Sequence, residues 1–387
     1  MTATKAGYDS YDEYVIDYPK KQQYRREVRR ITRAQPIHLL PNYSAYQTSV
    51  GRNGIQNAYQ LDHIISIDEG YKRNIPPHVI GNIKNLQIIS WEHNIAKRNK
   101  PSQSFYSWIH DILNDAVFDH MVGQFPVSVY SKQHGAVIHY TDIRIDGEFS
   151  SGISSSSLYK VRQTVLDRNE IFINVFSSEW EEKTELVKHK ILHILNRSST
   201  TPLYARTMRP AVISNTVAKE FLEEHHIQGF TPSTYYYGLY HGVTLVAVMT
   251  FSKNRVVTGN RPAENTYEMV RYATHMNYKI IGGFSKLLQF FIREHRPITI
   301  YSYANLRYSQ STTVYDRTGF KPIHTTAPGY FYVKDGMALH RYRFRKSTLV
   351  SQGYDPNLSE TDIMKQLGYD RIWDCGHRRY ELNCLND

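Results

Sequence analysis

The chain has 387 residues, more than one hydrophobic core usually serves, so about two or three domains are expected. Lys and Arg number 47 against 36 Asp and Glu, and a net charge of +11 suits a polyanionic partner, nucleic acid first among them. Only Cys375 and Cys384 occur, which excludes a disulfide framework and a Cys-x-x-Cys structural zinc site. Neither a signal-like apolar stretch nor an apolar run of membrane-spanning length is found, so the expectation is a cytoplasmic protein with no membrane partner.

Residues 1–19 alternate Tyr with Asp and Glu without a clear period and read as a loosely ordered arm. Residues 20–33, KKQQYRREVRRITR, turn helical, with seven cations against one acid. Arg25, Arg29 and Arg33 recur every four residues and, with Lys21, make a stripe suited to phosphate contacts, or simply a solvated face.

Residues 60–100 are the most informative. An apolar strand, Leu61-Asp62-His63-Ile64-Ile65, sets an acid beside an imidazole. Neighbours on a strand point to opposite faces, so the pair acts together only where the strand frays into a loop. The loop holds a short helix, with Pro76-Pro77 suited to its start and Gly81 to its end. Asn85 then introduces a second strand, Leu86-Gln87-Ile88-Ile89, and is a residue type that fixes loops through backbone hydrogen bonds. From Ser90 the period becomes helical and carries His93, Asn94 and a basic run, Lys97, Arg98, Lys100.

This stretch resembles the HNH endonuclease motif, the ββα-metal fold, in its His-Asn-Asn form. The resemblance implies His63 as general base for an attacking water, Asn85 as its orienting residue, and Asp62 with Asn94 as ligands to Mg²⁺ or Mn²⁺. His93 is the alternative ligand to Asn94. The lead-in, Leu39-Leu40-Pro41-Asn42-Tyr43 and Asn57-Ala58-Tyr59-Gln60, is similar to that of HNH endonucleases of tailed phages, over about the first hundred residues.

Residues 105–121 read as an amphipathic helix. Residues 137–145 read as a strand, 158–168 as a helix, 171–176 as a buried strand and 181–195 as a helix. That order resembles the very-short-patch-repair-like nuclease module of some phage homing endonucleases, in which Asp142 would match a metal-binding Asp. The further acids and histidine of that module are replaced by Gly147-Glu148-Phe149 and serines, which implies a degenerate module, or else a plain α/β linker domain.

From residue 210 to about 333 the order is helix, two strands, a polar loop over 254–265, a strand, a helix over 283–294, a strand, a helix near 312–318 and a closing strand. With Tyr315 and Gly319-Phe320 at its end, this resembles the GNAT acetyltransferase fold. That family cradles an acyl-CoA pyrophosphate on a Gln/Arg-x-x-Gly-x-Gly/Ala turn at a helix start. Here the turn is Lys279-Ile280-Ile281-Gly282-Gly283-Phe284, with part of the spacing and a bulky Phe284. Similar regions in phage homing endonucleases imply DNA recognition as the alternative task.

Arg341, Arg343 and Arg345 alternate with aromatics, so a strand there would turn three cations to one face, toward DNA or as a charged edge. Ser359-Glu360-Thr361-Asp362 is a capping box opening a helix that stops at Gly368, and residues 371–382 read as a hairpin turning at Gly376. The expected architecture is α+β and α/β multidomain: an HNH nuclease domain (1–120), a degenerate nuclease-like α/β module (121–200), a GNAT-like domain for DNA recognition (201–346) and a helix-hairpin extension (347–387). The functional expectation is a monomeric, phage-encoded homing-type endonuclease acting on double-stranded DNA in a bacterial host. The alternatives are a GNAT-type N-acetyltransferase with a nucleic-acid-binding N-terminal domain, or a catalytically dead DNA-binding protein.

Overall fold

A computed structural model of the chain describes residues 11–49, 58–72, 74–90, 105–123, 125–143, 146–253, 264–334 and 337–385. They form two compact units, each assembled from separated stretches: residues 1–133, 141–154 and 331–372 in one, and residues 134–140, 155–330 and 373–387 in the other.

In the first unit the leading helix spans Tyr11–Arg33, with Pro19 inside it. It begins well before the basic run, so the arm expected over residues 1–19 is helical from Tyr11 onward. Val28 is fully buried, and the Tyr24 hydroxyl donates to the Ile75 carbonyl at 2.6 Å. Two short strands, β1 (Tyr59–His63) and β2 (Leu86–Ser90), pair antiparallel from Tyr59↔Ser90 to His63↔Leu86. Leu86 and Ile88 are buried on a cluster with Leu40, as the apolar alternation requires.

The expected helix over 105–121 is shorter. It ends at Ile112, and β3 (Val117–Val122) follows, paired antiparallel with β4 (Phe125–Ser131). The break has a local cause: the Asp115 carboxylate accepts from Ser131 Oγ and Gln133 N, both at 2.7 Å, and pins the chain to the hairpin end.

The second unit opens with β5 (Ala136–Thr141), a helix over Ser157–Asp167 and β6 (Ile171–Phe176), which lies beside β5. Two helices, Ser177–Glu182 and Thr184–Ile194, stand where one was expected. The main sheet follows: β7 (Thr201–Tyr204), β8 (Arg209–Val212), β9 (Tyr235–His241), β10 (Thr244–Lys253), β11 (Thr266–Thr274), β12 (Tyr278–Ile281), β13 (Thr299–Asn305), β14 (Lys321–Thr325) and, from the far end of the chain, β18 (His377–Asn383). Seven of these form one sheet in the order β8-β9-β10-β11-β13-β18-β14, while β7 and β12 pair separately in parallel.

The helix Asn215–His225, capped by Ser214 Oγ accepting from Val217 N, packs Ala218 and Leu222 against Val248 and Ala273. The helix Gly283–His295 packs against the alternate residues of β10, and its Phe291 stacks on Phe251 at 3.6 Å between ring centres. Alternation along β10 thus gives the sheet two covered faces, and the strand reads as a continuous apolar run.

The remaining strands, β15 (Tyr330–Lys334), β16 (Met337–His340) and β17 (Asp370–Trp373), form a three-stranded sheet with the helix Glu360–Gln366 nearby in sequence. The C-terminal hairpin of the sequence reading is therefore not formed. Strands β17 and β18 flank Gly376 but belong to different sheets, and β18 bonds β13 along its whole length. Nor are residues 341–346 a strand. Arg341–Phe344 is a 3-10 turn, the His340 ring nitrogen accepts from Tyr342 N, and the Arg345 guanidinium lies over the Tyr342 ring. The exposed cations Arg341, Arg343 and Arg345 therefore sit on a turn rather than one sheet face.

Candidate functional site

Two places gather chemistry. The first is the β1–β2 hairpin. Asp62 stands opposite Gln87, whose side chain donates to Asp62 Oδ2 at 2.9 Å. His63, the next residue, is turned instead to the leading helix, where its Nε2 is 3.0 Å from Thr32 Oγ1. Asn85 is 2 % exposed and bridges the loop: it accepts from Ile65 N at 2.8 Å and donates to the Ile65 and Ile80 carbonyls at 3.1 and 2.8 Å. This is the loop-fixing role expected of an Asn at that strand entry. His93, Asn94, Lys97, Arg98 and Lys100 lie outside the described residues. Among the described residues no group of three His, Cys, Asp or Glu is placed to hold a metal ion.

Of the helical cations, Arg25 binds Asp68 at 2.6 Å and Lys21 stands 4.0 Å from the same carboxylate, while Arg29 and Arg33 are exposed. Asp142 is fully buried, its backbone N–H donating to Asp146, whose carboxylate pairs with Lys84 at 3.0 Å. No helix of the described residues is long and apolar enough to cross a membrane.

The second place is in the seven-stranded sheet. Strands β11 and β13 pair in parallel at Thr266↔Thr299, Tyr267↔Ile300 and Glu268↔Tyr301, and the pairing ends there although both strands run on. Just past that point the Met269 carbonyl is taken by a side chain, Ser302 Oγ at 2.9 Å. The same hydroxyl is 3.0 Å from the Tyr315 Oη, on the short helix Val314–Arg317. The Tyr315 ring stacks on Tyr380 of β18 at 4.8 Å. Burial pushes the Tyr315 phenol up, against the lowering effect of the Ser302 bond, and burial does the same to Tyr272 on β11.

Beside this parting lies the turn Ile281-Gly282-Gly283. Gly282 has φ +79, a left-handed conformation that disfavours a side chain, and it caps the helix Gly283–His295. A Cβ on Gly283 would stand 2.6 Å from Ile280 Cγ2, so the turn packs too closely for any larger residue. Phe284, bulky for a phosphate turn, points inward: it is 5 % exposed, its ring edge-on to Tyr272 and Tyr315. Around the buried Gly283 and Phe284, Gly282 and Ser285 are exposed. Lys286 Nζ donates to the Ala205 carbonyl at 2.7 Å and draws residues 205–206 to the same end of the helix, while Arg206 and Lys279 are exposed. Sequence reasoning found the glycine turn but assigned no role to Tyr315, Ser302 or Tyr272. The signal for Tyr315 was its place four residues before Gly319-Phe320.

No protein-family model matches the chain, and no curated protein matches it. Among solved structures, an acetyltransferase from Bacillus subtilis in complex with CoA is 15 % identical and has a TM-score of 0.26, covering 46 % of this chain and 98 % of its own. The ribosomal-protein-S18-alanine N-acetyltransferase from Escherichia coli is 11 % identical at a TM-score of 0.27, covering 46 % and 94 %. A GNAT family acetyltransferase from Elizabethkingia anophelis with acetyl-CoA bound is 9 % identical at 0.26, covering 46 % and 98 %. These are acetyltransferases, not nucleases, and the expectation of an HNH endonuclease is corrected accordingly. The β1–β2 hairpin forms, but its two reactive side chains are engaged with Gln87 and Thr32. The likeness covers 46 % of the chain in each case.

Proposed function

We propose that the unit of the seven-stranded sheet binds an acyl-coenzyme A and transfers its acyl group to an amine. The observation that supports this reading is the interrupted parallel pair β11 and β13, with a glycine turn at the opening and a half-buried phenol inside it. Coenzyme A, when bound, supplies a thioester as activated acyl donor. The residues present fit it. The helix Gly283–His295 begins at Gly282 with no side-chain cap, and the exposed Gly282 and Ser285 leave that end accessible to an anion. Arg206, Lys279 and Lys286 add positive charge around that end. Tyr315 holds its proton at Oη through neutral pH, because burial disfavours the phenolate, and is a donor suited to a departing thiolate.

The test is calorimetric titration with acetyl-CoA, followed by thiol release in the presence of a panel of amines. Ser285→Glu adds an acid to the helix's first turn, which favours folding while repelling a pyrophosphate, so binding is expected to weaken at least tenfold with the melting temperature unchanged. Tyr315→Phe is expected to keep binding and to lower transfer at least tenfold. Absence of acetyl-CoA binding by the wild type would sink the reading. A second reading, binding without transfer, is favoured by the aromatic filling around Tyr315, which stacks on Tyr380; binding with no thiol release for any amine would select it.

We further propose that the exposed Arg29 and Arg33 of the leading helix contact nucleic acid phosphates. Their replacement by Ala is expected to flatten the salt dependence of duplex binding by about two phosphates' worth.

A further inference from the structure

The segment that follows β13 is held residue by residue by the α/β stretch that precedes the main sheet. Arg162, on the helix Ser157–Asp167 and fully buried, donates from Nε to the Leu306 carbonyl at 2.8 Å and from Nη2 to the Ser309 carbonyl at 2.9 Å. The Arg307 carbonyl accepts from Asn174 N at 2.9 Å. The Arg307 guanidinium, 3 % exposed, forms a two-pronged pair with Glu179, at 2.9 Å from Nη1 and 2.5 Å from Nη2. Glu179 also accepts from the Tyr308 hydroxyl at 2.9 Å. Gln310 closes the series against Phe172, its Oε1 accepting from the Phe172 N–H at 3.1 Å and its Nε2 donating to the Phe172 carbonyl at 2.8 Å.

Burial works against charge on both Glu179 and Arg307, yet their pairing outweighs it, holding the carboxyl below its usual range and the guanidinium above. Every residue from Leu306 to Gln310 is thus bonded to a partner more than a hundred positions earlier in the chain. Only residues 311–313 lie between this held segment and the helix that carries Tyr315, and Thr313 caps that helix through Asp316.

A loop with so many buried, charge-assisted bonds exceeds what connecting two elements requires. We propose that Arg162 and Glu179 are positioning residues for Tyr315: the α/β stretch, whose acids and histidine for a nuclease are missing, serves as the clamp that fixes the proton donor of the acyltransferase site. This rests on the acyl-transfer reading. Without the clamp, Tyr315 keeps Ser302 and the rings of Tyr380, Phe284 and Phe320 around it, but the segment that leads into its helix is no longer fixed and its donor geometry broadens.

The experiment replaces the charged pair as a pair, Glu179→Met with Arg307→Met, so that no lone charge is left buried. Three quantities are read in the full chain: kcat and KM for acetyl-CoA, acetyl-CoA affinity by calorimetry, and hydrogen exchange over residues 306–318. The expected result is a fall in kcat of at least tenfold, KM and affinity within twofold of wild type, and exchange over 306–318 faster at least tenfold while the helix Gly283–His295 is unchanged. Unchanged kcat despite faster exchange overturns the positioning role, as does a parallel loss of kcat, affinity and melting temperature. Should the double variant fail to fold, Gln310→Ala, at the half-buried end of the series, is expected to lower kcat about threefold with KM unchanged; an unchanged kcat overturns the proposal. A wild type that neither binds acetyl-CoA nor releases thiol removes the acyl-transfer reading and the positioning role with it. In that case the exchange data still report whether the clamp exists.

Discussion

Two loops in this chain are held in one shape by opposite means. The loop between β1 and β2 is fixed from within: one buried side chain, Asn85, satisfies Ile65 N and the Ile65 and Ile80 carbonyls, all within about twenty residues of itself. The loop after β13 is fixed from outside, by Arg162, Phe172, Asn174 and Glu179, each more than a hundred residues away. A locally fixed loop can form early and survive changes elsewhere, whereas a remotely fixed one depends on the whole unit having folded. The difference also assigns them different vulnerabilities: the first has one keystone and no charge, the second spreads its load but rests on three charged side chains, Arg162, Glu179 and Arg307.

The sharpest way to break the contrast is to remove one ion alone. Glu179→Met leaves the Arg307 guanidinium buried without its partner, and a loss of about 3–5 kcal/mol in the stability of the second unit is expected by urea denaturation. The double replacement with Arg307→Met should recover most of it. Asn85→Ala should cost about 2–3 kcal/mol, for three buried backbone groups lose one partner. Its effect should be confined to faster hydrogen exchange over residues 64–85, with the second unit's transition unmoved; a shift in both transitions would deny that the loop is locally held.

Acid sharpens the comparison. His225, buried beside His275 at 4.3 Å between ring centres, has its pKa lowered by burial and then by His275. A base depressed in the folded state contributes fully above its unfolded pKa, about 6.5, and the contribution is lost as pH falls below that value. The second unit should therefore weaken by about 1.4 kcal/mol per pH unit from this residue between about 6.5 and the folded pKa. His225→Phe should flatten the slope in that window. The smallest expected effect is Ser214→Ala, about 1 kcal/mol for the lost cap on the helix Asn215–His225.

What could be read from the sequence follows the same divide. The β1–β2 pairing, Asn85 as loop fixer, the helix expected over 283–294 and the strands expected over 236–240, 243–251 and 267–274 all rest on short-range period and turn chemistry, and the structure has them to within one or two residues. A local likeness does not reach as far as a shared site: Asp62 and His63 are neighbours on a strand and diverge, one to Gln87 and one to Thr32. The site around Tyr315 was beyond reach for the converse reason. Ser302, Tyr315 and Tyr380 come together only through the strand order β13-β18-β14, which no local period encodes. The strand expected over 341–346 failed similarly, because alternation of Arg with aromatics fits a tight turn in which cation and ring stack on each other as well as it fits a sheet.

The placement of β18 has a consequence for biosynthesis. Its residues, 377–383, leave the ribosome some fifty positions after β14 (residues 321–325), yet they must enter between β13 and β14. Until then the nascent chain holds a gap in which β13 offers its whole hydrogen-bonding edge and Tyr315 lacks the ring it rests on. A chaperone, or pairing with a neighbouring nascent copy, has that interval in which to act, and the stack of Tyr315 on Tyr380 comes into being only when the gap is filled.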